Sequence, residues 1–432
     1  MYNLFKLDNG LKVIVEHIDY INSVTVGLWI ENGSRNEDTN NNGISHFIEH
    51  MFFKGTEKRT AKDIVETIEN VGGQINAFTG KESTCFYAKI LDTHLELSLD
   101  LLSDMLFNSR FSEEDIEKEK KVIIEEIKMS NDNPEDVLMD LHGKASFGKD
   151  SISFPILGDI QTVNSFTKDM LEKYIDSYYI PENSVVSISG NFNTNNIERL
   201  VEKFFGNWNS NNKKITNYSL PKLQTNNLFQ IKDLEQVHIS LGIPGIEVGN
   251  DDVYPLMLLN TILGGGASSI LFQKIREELG MCYTIYSYIS SYINAGTLNI
   301  YTSLNPVYAV DAVNYIKEEL YNFSKQDISN DKISKIKEQL KGNFILGLES
   351  TSSRMFRNGR IALFLNKIVT PTEVINKIDQ INKEKLKEVM KKTFNLGIQN
   401  SAFVGNNFDK TIIMNILEKN QVAYKNSKMI NL

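Results

Sequence analysis

Two histidines four residues apart with a glutamate between them, His46-Phe47-Ile48-Glu49-His50, are the sharpest chemical feature of this sequence. On a helix, residues four apart share a face, so both imidazoles can point at one ion. Glu49 lies beside that pair, three residues after His46 and one before His50. The arrangement suits hydrolysis. Catalytic zinc takes three protein ligands and leaves its fourth position to water, whose pKa it lowers to about 7. A neighbouring carboxylate that is not a ligand can accept the proton and hand it to a leaving amine. The chain has 6 His and 55 Asp+Glu among 432 residues. An H-x-x-[DE]-H match is then expected by chance roughly 0.01 times per chain, so the motif carries weight.

A third ligand must come from a distant part of the chain. The helical pattern from Ser112 to about Met129 carries Glu119 and Glu126. They are two turns apart and share a face. Ile116, Ile123, Ile124 and Ile127 mark a neighbouring apolar stripe. By pattern alone either Glu is a candidate ligand. Equally, both could belong with Glu113, Glu114, Glu117 and Glu125 to a solvated face.

The elements that must position these groups are legible in outline. Asp8-Asn9-Gly10 is turn chemistry between Leu4–Leu7 and Leu11–Val15, a hairpin signal. Strands fit 23–30, 74–79, 84–91 and 184–189. The stretch from Gly43 to about Phe53 reads as a helix. Thr60 with Asp63 reads as a capping pair for a helix that stops at Gly72-Gly73. Further helical patterns cover 92–107, 112–129, on to about 145, 168–179 before Pro181, and 195–205. Residues 209 to about 227 turn polar and Asn-rich, a linker composition. The second half then repeats the style. Asn183-Ser184-Val185-Val186 leads to Gly190-Asn191-Phe192 and a helix. Asn400-Ser401-Ala402-Phe403-Val404 leads to Gly405-Asn406-Asn407-Phe408 and a helix, 217 residues on (from 183 to 400). A duplication follows, with two α+β halves of related build. The division places 1–210 as the N-terminal half, 211–227 as the linker and 228–432 as the C-terminal half.

Composition narrows the class. With 41% hydrophobic and 23% charged residues the chain is globular rather than disordered. A net charge of −9 argues against a general nucleic-acid binder and against binding at an anionic membrane surface. The charge-free run Val253 to Gln273 is broken by Pro255, Asn260 and three glycines, so no membrane span is expected there. The first residues lack the basic and apolar regions of a signal peptide. Cys85 and Cys282 cannot build a disulfide framework and read as small buried hydrophobes. A soluble, cytoplasmic protein is the expectation. His17, His94, His142 and His238 sit in no ligand spacing and read as structural or solvated, and Trp29 and Trp208 as core anchors.

The stretch Gly43-Ile44-Ser45-His46-Phe47-Ile48-Glu49-His50-Met51-Phe52-Phe53-Lys54-Gly55-Thr56 resembles the pitrilysin, or M16, metallopeptidases, whose zinc motif is the inverted H-x-x-E-H. Three further blocks extend the resemblance over nearly the whole chain. The first is Glu119 to Ile127, where it implies Glu126 as third zinc ligand and Glu119 as a supporting acid. Glu125 is the alternative register. The second is Gly72-Gly73-Gln74-Ile75-Asn76-Ala77-Phe78-Thr79, which resembles the family's edge strand. There it implies main-chain pairing with an extended peptide at Asn76, Ala77 and Phe78. The third runs from Leu263-Gly264-Gly265-Gly266 through Arg276 to Tyr283. There it implies that Arg276 and Tyr283 hold the substrate carbonyl. No Gly-Lys-Ser/Thr follows the glycines, so they are a flexible connection between two helices rather than a nucleotide loop. The second half has no H-x-x-E-H, as in the family.

The resemblance implies two homologous α/β-sandwich halves in a clam-shell arrangement. One zinc ion per chain would sit on His46, His50 and Glu126, with Glu49 as base and Glu119, Arg276 and Tyr283 completing the catalytic set. The expected activity is that of an endopeptidase or oligopeptidase acting on unfolded peptides in an enclosed chamber, as a homodimer. The alternatives are a catalytically silent structural subunit, a peptide-binding or chaperone-like module, and a precursor-processing protease that needs a partner.

Overall fold

The computed structural model describes residues 1–209 and 216–418; of the expected linker, 211–215 lie outside the described residues. The chain divides into two compact units, neither of them continuous in sequence.

Unit 1 comprises Met1–Lys128, Phe154–Tyr218 and Phe344–Pro371. Its strands are β1 (Tyr2–Lys6), β2 (Lys12–His17), β3 (Ser23–Ile30), β4 (Gln74–Thr79), β5 (Thr84–Leu91) and β6 (Ser184–Gly190). They form one sheet in the order β1-β2-β6-β3-β5-β4. Strands β2 and β6 are parallel and the other neighbours antiparallel. The hairpin from β1 to β2 turns through Gly10 at φ +100°. Four helices frame the site: α1 (Ile44–Phe52), α2 (Ala61–Glu69), α3 (Leu95–Asn108) and α4 (Glu113–Asp132), the last ending just beyond the unit's boundary. The Thr60/Asp63 pair is a reciprocal capping box: the Asp63 N–H donates to Thr60 Oγ1 at 3.2 Å and the Thr60 N–H to Asp63 Oδ2 at 2.9 Å. Val24, Val26, Leu28 and Ile30 of β3 join Phe47, Phe52, Phe86 and Leu99 in the core on the sheet face covered by α1 and α3.

The opposite face of this sheet is covered by the helix Thr351–Leu365. Its seat is polar as well as apolar. Asn358 Nδ2 donates to Glu16 Oε2 at 2.7 Å, Arg354 pairs with the same buried carboxylate, and Ser187 Oγ donates to the Met355 carbonyl at 2.9 Å.

Unit 2 comprises Met129–Ser153, Ser219–Asn343 and the chain from Thr372 onward. It contains α5 (Pro134–Phe147), β7 (Asn227–Ile231), β8 (Val237–Pro244), β9 (Cys282–Tyr292), β10 (Ala295–Leu304) and β11 (Asn400–Gly405). The sheet order is β7-β11-β8-β10-β9. It repeats β2-β6-β3-β5-β4 strand for strand, including the parallel pair at one end. The duplication reaches single residues. Gly190 ends β6 at φ +141° and Gly405 ends β11 at φ +144°. At Gly190 a Cβ would lie 2.2 Å from the Ser23 carbonyl oxygen, so both conformation and space require glycine there.

The two units are therefore homologous α+β domains, but the expected boundaries divide the sequence and not the packing. Segment 129–153 joins unit 2 and segment 344–371 joins unit 1. The exchange is reciprocal: α5 and the helix Thr351–Leu365 start 217 residues apart (134 and 351), and each covers the sheet of the other half's sequence. The physical reason is the seat each helix finds. In α5, His142 is buried, with Nδ1 2.6 Å from Ser240 Oγ on β8 and Nε2 2.8 Å from Asn400 Oδ1 on β11. Ser146 Oγ donates to the same Asn400 oxygen at 2.9 Å. Among the described residues, no helix is long and apolar enough to cross a membrane.

Burial pushes the pKa of His142 down from 6.5 to about 4. The unfolded chain takes up this proton as pH falls below about 6.5, while the folded chain does not. The contribution of this site is thus whole above pH 6.5 and is lost as pH falls toward 4. Replacing His142 by Gln should lower the unfolding free energy by ~1–3 kcal/mol at neutral pH. In urea titrations at successively lower pH, the gap to the wild type should narrow.

Candidate metal centre

Helix α1 has no side chain of its own to cap its start. Gly43 precedes it at φ 96°, and a Cβ there would lie 2.7 Å from the Leu157 carbonyl oxygen. The cap comes from Glu37 instead. Its buried carboxylate accepts from the N–H of Gly43 at 2.7 Å, the N–H of Ser45 at 2.9 Å and Asn42 Nδ2 at 2.8 Å. These satisfy donors that a helix start leaves open and place an anion at its positive end. One side of α1, through Ile44, Phe47, Ile48, Met51 and Phe52, is buried in the core. That register turns His46, Glu49 and His50 to the other side.

Helix α4 supplies the rest. Ile116, Ile123 and Ile127 are buried and fix its rotation. Glu119 is 2% exposed and Glu126 is half-buried. His46 Nε2 lies 3.8 Å from Glu126 Oε2, and His50 Nε2 lies 3.6 Å from the same oxygen. The three ligand atoms are all within 4.8 Å of one another. These separations are too long for hydrogen bonds. They fit atoms that share an ion, since two ligands at about 2.0–2.2 Å from tetrahedral zinc stand about 3.4 Å apart. Two imidazoles and one carboxylate are also a donor set that catalytic zinc uses. Glu125, the alternative register, points elsewhere: it is exposed and pairs with Lys128 at 2.6 Å.

The surrounding groups are arranged by charge. Burial, reinforced by the neighbouring His50, pushes the His46 pKa down from 6.5 to about 3, so this imidazole is neutral, as a ligand must be. His50 Nδ1 is 2.7 Å from Glu119 Oε1, and Lys54 Nζ is 2.5 Å from Glu119 Oε2. Burial alone would raise the Glu119 pKa. The hydrogen bonds from His50 and Lys54 outweigh it and hold the carboxyl below its ordinary range. Glu119 is thus a partner of a histidine rather than a member of the three-atom cluster. Glu49 is shifted the other way: burial raises its pKa, against an opposing hydrogen bond from Thr79 Oγ1.

Thr79 ties the cluster to the sheet edge. Strand β4 ends the sheet order, so one side of it is unpaired by β5. Asn76 is exposed, and its Oδ1 accepts the Ala77 N–H at 2.8 Å. Side chains alternate along a strand. Thr79 faces Glu49, while Phe78 takes the other face, with ring centroids 5.5 Å from Trp29 and 5.6 Å from Phe356.

Arg276 and Tyr283 belong to unit 2, where they adjoin. Arg276 lies in a turn of π-helix, Phe272–Glu278, that follows the glycine run after the helix Val253–Gly264. Its guanidinium is 4.5 Å from the Phe272 ring centroid and 4.7 Å from that of Tyr283, and Tyr283 is 76% exposed. Such stacking fixes a guanidinium plane.

Three residues of this site have no role in the sequence reading. Lys54 follows His50 by four residues, a spacing signal that was available. Thr79 lies within the edge-strand motif. Glu37 lies six residues before α1 in a loop, and nothing in its surroundings marks it as a cap. The leftover His142 and His238 are structural, partnered by Ser240 and Asn400 and by Tyr301. Cys85 is buried, whereas Cys282 is partly exposed.

Comparison with known proteins finds matches along most of the chain. Residues 12–160 match the family described as Insulinase (Peptidase family M16), and residues 165–340 match the Peptidase M16 inactive domain. The zinc protease YmxG of Bacillus subtilis is 42% identical over 394 residues, covering 91% of this chain and 96% of that protein. A zinc protease of Streptomyces coelicolor is 34% identical over 390 residues, covering 89% and 85%. The crystal structure of a protease from Helicobacter pylori shares the fold, with TM-score 0.87 at 22% identity over 94% of this chain and 99% of that one.

The two registers on α4 separate cleanly by metal content. Glu126→Gln should weaken zinc binding by more than the ~10–100-fold typical of losing an outer partner. Glu125→Gln should leave it unchanged. Equilibrium dialysis against buffered zinc, with metal analysis of the retained protein, reads both.

Proposed function

The chain belongs to peptidase family M16, and from that premise we propose that it is a zinc-dependent endopeptidase acting on extended, unfolded peptides. The observation that carries this reading is the convergence of His46 Nε2, His50 Nε2 and Glu126 beside Glu49, at the unpaired edge of β4. Zinc, when bound by those three residues, supplies a Lewis acid that polarises the scissile carbonyl and acidifies water.

The chain's own residues do the rest. The β4 edge pairs with a peptide through main-chain hydrogen bonds, which selects extended conformation over sequence. In folded proteins most backbone groups are already paired, so an unfolded chain is the better partner. Glu49, held by Thr79 and raised in pKa, takes the water proton and returns it to the leaving amine. Glu119 orients His50. On the family pattern we assign Arg276 and Tyr283 to donate to the carbonyl oxygen as negative charge develops on it. Their stacking and the exposure of Tyr283 support that assignment. One zinc per chain and a homodimer complete the proposal.

Purified protein should cleave an unstructured, internally quenched peptide. A chelator should stop the reaction and added zinc restore it. Glu49→Gln should reduce turnover by ~10²–10⁴-fold, the range of general acid–base catalysis, while retaining zinc. Zinc-loaded protein that binds the peptide but never cuts it would favour a silent or peptide-holding role instead.

Tyr283→Phe removes one donor and little volume. Its kcat should fall by ~10²-fold or more with KM nearly unchanged, the pattern of a contact made in the transition state. Steady-state kinetics on the same peptide checks this.

A further inference from the structure

We propose that Lys54 is a positioning residue of the metal centre, acting through Glu119 on the tautomer and orientation of His50. The proposal rests on the zinc reading above and adds a member to it.

Both oxygens of the Glu119 carboxylate are engaged by cluster neighbours. Oε1 faces His50 Nδ1 at 2.7 Å and Oε2 faces Lys54 Nζ at 2.5 Å. The carboxylate side chain is 3% exposed, so water does not replace a missing partner. With Oε2 occupied by an ammonium, Oε1 is left as the acceptor for the Nδ1 proton of His50. That puts the lone pair of the neutral ring on Nε2, the atom 3.6 Å from Glu126 Oε2.

Lys54 is itself placed by a braced stretch of backbone. Its N–H donates to the Met51 carbonyl at 3.1 Å, extending the last turn of α1. Gly55 follows at φ +115°. The Thr56 N–H then donates to the Arg59 carbonyl at 2.8 Å, and Thr56 Oγ1 to Asp104 Oδ2 on α3 at 2.8 Å. The ammonium is thus delivered to Glu119 from a fixed backbone. Its side chain is about one-third exposed (34%), which a simple surface ion pair would share. What sets it apart is that its partner is buried and touches the ring of a candidate ligand.

The test is zinc affinity of the folded protein, measured by competition with a chromophoric chelator, with circular dichroism to establish folding of each variant. Lys54→Met should bind zinc ~10–100-fold more weakly than wild type, the usual consequence of losing an outer partner. Lys54→Arg, which keeps the cation, should recover most of that loss. In a Glu119→Gln background, Lys54→Met should cost little more. If Lys54→Met fails to fold, Lys54→Gln takes its place with the same expectations. Unchanged zinc affinity in Lys54→Met would overturn the proposal while leaving the metal site intact. So would an equal loss with and without Glu119. Absence of zinc binding by the wild type would instead sink the metal reading itself.

Discussion

The carboxylate of Glu37 makes it possible for a helix to begin at Ile44. Glycine at 43 brings the chain against Leu157 and Gly158 but leaves the first turn of α1 without a side-chain cap. Glu37 is buried, and burial raises its pKa, against the opposing hydrogen bonds from the first turn. An ionised buried carboxylate is costly unless fully hydrogen-bonded, and here the N–H groups of Gly43 and Ser45 and the amide of Asn42 meet it. The start of α1 sets its register, and the register decides which side chains reach the core. With Phe47, Ile48, Met51 and Phe52 buried, His46 and His50 have only one direction left. Everything at the candidate metal centre inherits that choice.

The duplicated half shows what the same scaffold does without the chemistry. Its sheet repeats the strand order, the parallel pair and the glycine with positive φ at the end of β11. The helix Val253–Gly264 follows β8 as α1 follows β3, and it is apolar nearly throughout, with no histidine. Shape was retained while ligands were not. The description of the matching family as an inactive domain fits this difference.

What was legible in the sequence follows the range of the interactions involved. Strands β3, β4 and β5 were readable residue for residue because alternation and flanking glycines are local. The Thr60/Asp63 box was readable because both partners lie within one turn. His46, Glu49 and His50 were readable for the same reason. The choice of Glu126 over Glu119 needed the family, since both share one face of α4, and setting Glu125 aside needed the structure, where it is exposed and pairs with Lys128. The reciprocal exchange of α5 and the helix Thr351–Leu365 left no local trace. Each helix has an ordinary amphipathic pattern, and which sheet receives it depends on partners such as Asn400, 258 residues from His142. The facing of Phe78 is a similar case: period two says that it opposes Thr79, but only Trp29 and Phe356 show which face is which.

The charge at the centre gives an independent reason to expect a cation. Glu49, Glu119 and Glu126 gather around two histidines, one of which burial keeps neutral. Lys54 pairs with Glu119 of this group. Burial is the main cause of the raised Glu49 pKa, and the neighbouring Glu126 adds to it. Carboxylates placed this close are normally relieved by taking up a proton or by sharing a positive ion. A divalent ion shared by the cluster would offset more than one of these charges at once. The three carboxylates differ by contact: Glu126 shares the three-atom cluster with His46 and His50, Glu49 meets Thr79, and Glu119 lies between His50 and Lys54.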